Sequence, residues 1–235
     1  MTNLIEFKNV SFRYGKSRGA AQQFALKDVS FAVPEGKIVA LVGQSGSGKS
    51  TLVRLALGML HTETGYVRAA ERAHTGLIFQ NPLQSLNPRW SVEKIVREGQ
   101  PSASDEEIAR VLEQVSLKPH DVLHKYAGDM SGGQAQRVAI ARALISQPDL
   151  LIADEPLSAV DVLGKKQIIE VLEDIRSARS LAMLIVLHDL GIAQRLADEI
   201  VVLHEGQIVE QGSVRDIISH PKHEYTKQLI EAAKL

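Results

Sequence analysis

The chain contains no cysteine, which excludes disulfide scaffolds, thiolate zinc sites, iron–sulfur clusters and cysteine nucleophiles together. It also lacks an excess of either charge: 27 Lys and Arg stand against 28 Asp and Glu, for a formal net charge of -1. No sequence-wide basic field is available to hold nucleic acid or an anionic bilayer. Long apolar runs are missing too. Stretches such as 181–187 and 38–42 fall far short of the roughly 18–20 residues that span a bilayer as a helix. Near the start, Glu6, Lys8 and Arg13 interrupt what a signal peptide needs as an unbroken apolar core. The expectation is a chain that neither crosses a membrane by itself nor is marked for export. No internal repeat, low-complexity tract or linker divides it. With 44% hydrophobic and 23% charged residues over 235 positions, it has the composition of a globular protein with one sizeable core.

Alternating, β-branched stretches at 5–12 and 26–33 flank a loop with Gly and Arg, which predicts antiparallel strands and an N-terminal β subdomain. Residues 37–42 read as a short strand buried on both faces, followed by a Gly-rich turn and a helix over 52–60. Apolar strands at 150–153, 183–187 and 200–203 lie among helical patterns at 135–146, 165–178 and 190–197. Strands alternating with helices predict a parallel α/β sheet. Residues 82–129 carry an amphipathic run at 106–115 and no strand signal, and are expected to be a helical insertion, reaching to about 134.

Gly43, Gln44, Ser45, Gly46, Ser47, Gly48, Lys49 and Ser50 match the phosphate-loop pattern G-x-x-x-x-G-K-[ST], between the strand and the helix the mechanism requires. Glycines let successive backbone N–H groups turn toward one anion, and the helix N-terminus adds its dipole. Lys49 reaches the β- and γ-phosphates, and Ser50 can ligate magnesium. A second element is the strand 150–153, which delivers Asp154 and Glu155 at its C-terminal end, the edge where open α/β sheets bind ligands. Neighbouring strand residues point to opposite sides, so Asp154 can orient a magnesium shell while Glu155 faces an attacking water. An acidic turn capping the next helix is the plainer alternative.

With these elements, the sequence resembles the ATP-binding cassette (ABC) ATPase family over essentially its whole length. Met130, Ser131, Gly132, Gly133 and Gln134, followed by AQRVAIARAL, are similar to its signature motif, with Met130 in place of the usual Leu. At a helix start these residues make a second anion site, and one chain needs only one for a single nucleotide. The resemblance implies that the motif closes over the γ-phosphate held by an opposite subunit in a head-to-tail ATPase dimer. It likewise implies that Tyr14, in FRYG, stacks on adenine. Gln80, in IFQNP, would touch magnesium or the nucleophilic water and sense the membrane partner. His188, in VLHDL, would contact the γ-phosphate, and Asp161, in LSAVD, would cross the dimer interface, a role compatible with capping a helix. Thr51 completes the phosphate loop. The implied fold is a P-loop NTPase (RecA-like) core with a parallel sheet, an N-terminal antiparallel β subdomain and an inserted helical subdomain, all in one cassette domain, 1–235. Residues 61–80 are fewer than the family usually has there, so the β subdomain is expected to be trimmed.

Ser85, Leu86, Asn87, Pro88 and Arg89, and the run from His223 to Leu229, resemble the peptide/nickel importer subclass. The short stretch after Tyr225, without cysteine, tilts the expectation toward nickel or metallophore members. His204, His220 and His223 suggest metal sensing, but a proline and a cation in HPKH work against converging ligands. The resemblance implies ATP and Mg2+ as cofactors, and integral membrane permease subunits, a second ATPase subunit (itself or a paralogue) and, indirectly, an extracytoplasmic solute-binding protein as partners. The site would be the cytoplasmic face of the membrane, with no nucleic acid bound. The alternative is a non-transport ABC ATPase acting on nucleic acid or ribosomes. Against it stand the missing heptads and the single phosphate loop. A P-loop GTPase or kinase would have no use for the signature or His188.

Overall fold

Alternation of apolar side chains, reset by a ladder irregularity at Asn9 (φ +49), gives β1 (Asn3–Phe12) a face that buries Ile5, Phe7 and Val10. Antiparallel to it, β2 (Leu26–Pro34) buries Leu26, Val29, Phe31 and Val33. Phe7 lies opposite Phe31 in the ladder, and their rings stack with centroids 4.5 Å apart. Such a cross-strand aromatic pair fixes the register of the ladder as well as adding to its burial. The computed structural model describes residues 2–15, 24–69, 75–158, 160–178 and 181–233, so the loop expected between these strands, 16–23, lies outside the described residues. β3 (Ile38–Val42) is buried at every position, as a strand covered on both faces must be. It runs through the Gly-rich turn into α1 (Lys49–Ala56). This helix starts and stops earlier than the apolar pattern suggests. Gly58, at φ +64, ends it: Gly58 N donates to Leu55 O (3.0 Å) and Met59 N to Arg54 O (2.9 Å), a left-handed cap that satisfies the last carbonyls. β4 (Thr64–Ala69) then pairs antiparallel with the free edge of β1. Its residues are nearly all exposed, so no apolar alternation announces it in the sequence.

The chain divides into two compact units, Met1–Arg72 with Ala182–Leu235, and Ala73–Leu181. In the second unit β5 (Thr75–Ile78) pairs in parallel with β6 (Leu150–Asp154). Between them come α2 (Pro82–Ser85), α3 (Val92–Gly99), α4 (Asp105–Gln114), α5 (Pro119–Val122) and α6 (Gly132–Leu144); α7 (Val162–Ala178) follows β6. Polar side chains start these helices: Asn81, Ser91, Ser104 and Ser131 each accept an N–H of their own first turn. Ser104 with Glu107 and Ser131 with Gln134 do so reciprocally. α6 is the hub. Ala135, Val138, Ala139 and Ile140 are fully buried, and Arg142 Nη1 donates to Ser85 O (3.0 Å) and Glu98 Oε2 (2.9 Å), tying α6 to α2 and α3. Arg137, buried enough that its guanidinium is pushed below its ordinary value, donates to Ser116 O and Gly133 O.

Returning to the first unit, the chain forms β7 (Ala182–Leu187), α8 (Leu190–Leu196), β8 (Glu199–His204), β9 (Gln207–Ser213), α9 (Val214–Ser219) and α10 (Glu224–Ala233). β7 and β8 flank β3 in parallel, and β9 returns antiparallel to β8. Nearly every residue of β3 and β7 is within about one per cent of complete burial. Each such Val, Leu or Ile contributes roughly 1.5–3 kcal/mol relative to exposure. The expected α/β class, with parallel strands, an antiparallel N-terminal sheet and a helical insertion, is what the chain forms. No described helix is long and apolar enough to cross a membrane.

Candidate nucleotide site

Gly43 follows the last residue of β3, and a Cβ on it would lie 2.2 Å from Leu203 O at the end of β8. Only glycine permits that approach. Gly46 differs, because a Cβ there would meet nothing within 4 Å. Its open side leaves room for an anion to reach backbone amides. Lys49 is 4% exposed, and its Nζ donates to the carbonyl oxygens of Gly43 and Gln44, both at 2.8 Å. The ammonium is thus desolvated and held against the loop it would serve. Ser45 lies exposed on the loop, and Ser47 Oγ is buried without a hydrogen-bond partner.

Tyr14 is 50% exposed. Its Oη lies 3.0 Å from Thr51 Oγ1, Arg54 Nη1 donates to it at 3.4 Å, and its ring meets Phe12 edge-on at 4.9 Å. One aromatic face is left for a planar ligand while the hydroxyl end is anchored on α1. His188 enters through strand register. Val42 pairs with Leu187, so Gly43 and His188 leave adjacent parallel strands at the same level, on the C-terminal edge. His188 is exposed there. Asp189, next to it, caps α8 by accepting from Gly191 N and Ile192 N.

In the second unit Ile78 pairs with Ala153, so the segments leaving β5 and β6 emerge side by side. Gln80 Nε2 donates to Glu155 Oε2 at 2.7 Å. Ser158 Oγ donates to Gln80 O (3.2 Å) and Glu155 O (3.0 Å), pinning both backbones. Glu155 sits at φ +46, a left-handed conformation that costs a non-glycine residue on the order of 1 kcal/mol. That strain, held by neighbours, turns the carboxylate off the strand. Ser131 and Gln134 are engaged with each other at the head of α6 (3.2 Å in both directions), and Gly132 and Gly133 form the helix's first turn. Asp161 Oδ1 accepts from Gly164 N at 2.7 Å, the cap at the start of α7 that its sequence position allowed. Met130 is buried, as the Leu it replaces would be.

The model for the ABC transporter family matches residues 26–158. A putative peptide import ATP-binding protein of Brucella ovis is 35% identical, over 98% of this chain and 78% of that protein. The chain belongs to the ABC transporter family. The oligopeptide transport ATP-binding protein OppF of Streptococcus mutans is 36% identical, over 97% of this chain and 81% of its own length. Among solved structures, the dimeric ATP-binding cassette MJ0796 in a post-hydrolysis state with ADP and Pi superposes with a TM-score of 0.77 at 26% identity, covering 90% of this chain and 99% of that one. The cassette is accordingly an ATP-binding ATPase.

Two contacts, one in each unit, carry no local signal in the sequence. Ser158, inside LSAVD, bridges Gln80 and Glu155, and Tyr225, inside the C-terminal HEYT run, bonds the Gly-rich loop directly. Separations of 78 and 181 residues leave no local signal for either. No group of three His, Asp or Glu that could hold a metal occurs among the described residues. His204 stacks instead on Tyr225, and His223 Nδ1 accepts from Tyr225 N.

Proposed function

We propose that the chain is the ATPase subunit of a peptide importer and forms one cassette domain over 1–235. Residues 43–51 hold the phosphates, with Lys49 on the β- and γ-groups and Tyr14 against adenine. Glu155 acts as general base: its carboxylate takes a proton from water, the water oxygen attacks the γ-phosphorus, and the bond to the β–γ bridging oxygen breaks to leave ADP and phosphate. Gln80 positions that water and His188 contacts the γ-phosphate. The observation that carries this reading is the hydrogen bond from Gln80 to Glu155, which holds the carboxylate at a sheet edge in a strained backbone.

Magnesium suits the donor set, because Ser50, Gln80 and Asp154 offer a hydroxyl, an amide carbonyl and a carboxylate, all hard oxygens. When bound, the ion neutralises phosphate charge. Ser131, Gly132, Gly133, Gln134 and Asp161 act in trans on the nucleotide of a second cassette, this chain or a paralogue, as the dimeric MJ0796 cassette suggests. The peptide solute is supported by the relatives named for peptide import and oligopeptide transport. None of these supports the nickel or metallophore expectation. Such a subunit works with membrane permeases, and through them a solute-binding protein, peripherally at the cytoplasmic face. An action on nucleic acid or ribosomes is the weaker reading for a chain of net charge -1.

The test is Glu155→Gln, which keeps shape and one hydrogen bond but cannot accept the proton. Hydrolysis should fall by about 10²-fold or more, while ATP traps a stable dimer seen by size-exclusion chromatography with light scattering. Full turnover in the variant would remove Glu155 from the role of base.

A further inference from the structure

The C-terminal segment touches the phosphate loop through one hydrogen bond that the catalytic reading does not use. Gln44 N donates to Tyr225 Oη at 2.8 Å, and Tyr225 is 6% exposed at the start of α10. The carbonyl of that same peptide unit, Gly43 O, accepts from Lys49 Nζ at 2.8 Å, as does Gln44 O on the next one. One peptide group is therefore clamped from both sides, by a phenol on its N–H and by the phosphate-binding cation on its C=O. Three contacts hold the phenol in place. Its ring stacks on His204 with centroids 3.9 Å apart, at the end of the strand whose Leu203 carbonyl crowds Gly43. Tyr225 N donates to His223 Nδ1 at 3.2 Å. The Glu210 carboxylate on β9 accepts from Lys222 N (2.9 Å) and His223 N (3.0 Å), fixing the approach to α10.

We propose that Tyr225 is a positioning residue for ATP binding, which sets the Gly43–Gln44 peptide and through it the place of Lys49. This rests on the assignment of residues 43–51 as the phosphate site. The phenol touches no nucleotide in this scheme. Its effect is to preorganise the loop, so that ATP does not have to order the Gly43–Gln44 peptide on binding. Gln44 is exposed and its bond to the phenol part-buried, so without that acceptor its N–H turns to water at little net cost to folding, while the loop loses its set position.

The experiment compares wild type with Tyr225→Phe in the full chain, by calorimetric ATP titration, ATPase kinetics and thermal melting with and without ATP. Phe keeps the ring on His204 and the burial, and removes only the acceptor. ATP affinity should weaken about 3- to 10-fold, the span expected for one such hydrogen bond, with KM rising in step. The value of kcat should stay within about twofold, because saturating ATP restores the loop. Without nucleotide the melting temperature should be that of wild type, while the upward shift given by ATP shrinks. Wild-type affinity in the variant overturns the inference and leaves the phosphate-loop assignment standing. A nucleotide-free melting temperature lowered enough to account for the lost binding also overturns it, since Tyr225 is then only a packing residue. If the wild-type chain binds no ATP, the phosphate-loop assignment fails and this inference fails with it.

Discussion

Tyr14 meets α1 through its hydroxyl, on Thr51, and leaves half of its surface open. That division decides what it can do for a nucleotide. A ring face stacks on any base, whereas a hydroxyl already placed against Thr51 and Arg54 is poorly available to select adenine. On the proposed reading, Tyr14→Ala should weaken ATP and GTP alike by about 1–3 kcal/mol, the range for base–aromatic stacking. Tyr14→Phe should retain most of the affinity. Calorimetric titration with both nucleotides checks this, and a loss confined to one of them would argue for base-specific contact. The residue scale also explains why Glu155 was legible and Ser158 was not. An apolar strand ending in two carboxylates is a local pattern, while a serine that bridges two loops is identified only by the atoms it meets.

At the scale of elements, one carboxylate fixes the approach to α10. Burial alone would raise Glu210, but the Lys222 amide, the Thr226 side chain, the His223 amide and the His223 charge together outweigh it and hold the group below the ordinary glutamate value. A carboxylate depressed in the folded chain stabilises it fully above the unfolded value, and that contribution disappears as pH falls through the folded one. Glu210→Gln should therefore lower the melting temperature at pH 7, with the difference from wild type closing as the buffer is taken down past the glutamate range. Thermal melts of both proteins from pH 7 to about pH 3 measure it. A gap of constant size at every pH would show that the charge plays no part. α1 gives a different lesson about elements. Its apolar pattern continues toward Leu60, yet the helix stops at Ala56, because the left-handed Gly58 closes it. Side-chain periodicity reports which face is buried, and backbone permissiveness decides where the helix ends.

For the whole molecule, the proposed catalytic cycle requires a second copy or paralogue, because on that reading the Ser131 to Gln134 turn serves as a second anion site at a helix start in a chain with one Gly-rich phosphate-loop pattern. Adding Ser131→Arg to Glu155→Gln should abolish the ATP-dependent dimer, since a long cation fills the space that the γ-phosphate must enter. ATP binding by the monomer should persist. Light scattering with and without ATP gives the result, and a dimer surviving the double substitution would put the signature turn outside the interface. The amino-acid sequence by itself determined the α/β class, the buried parallel strands, the helical insertion and the Gly-rich turn between β3 and α1. Each of these is written in residues close together, as periodicity, as a glycine pattern or as caps such as Ser104 and Ser131. The exposed edge strand β4 left no apolar trace, because neither of its faces is buried. Tertiary structure alone decided that Gln80 reaches Glu155 and that Tyr225 reaches Gln44. Those hydrogen bonds join residues 75 and 181 positions apart. At such distances only the packing of strands and helices, and no local propensity, fixes which donor meets which acceptor.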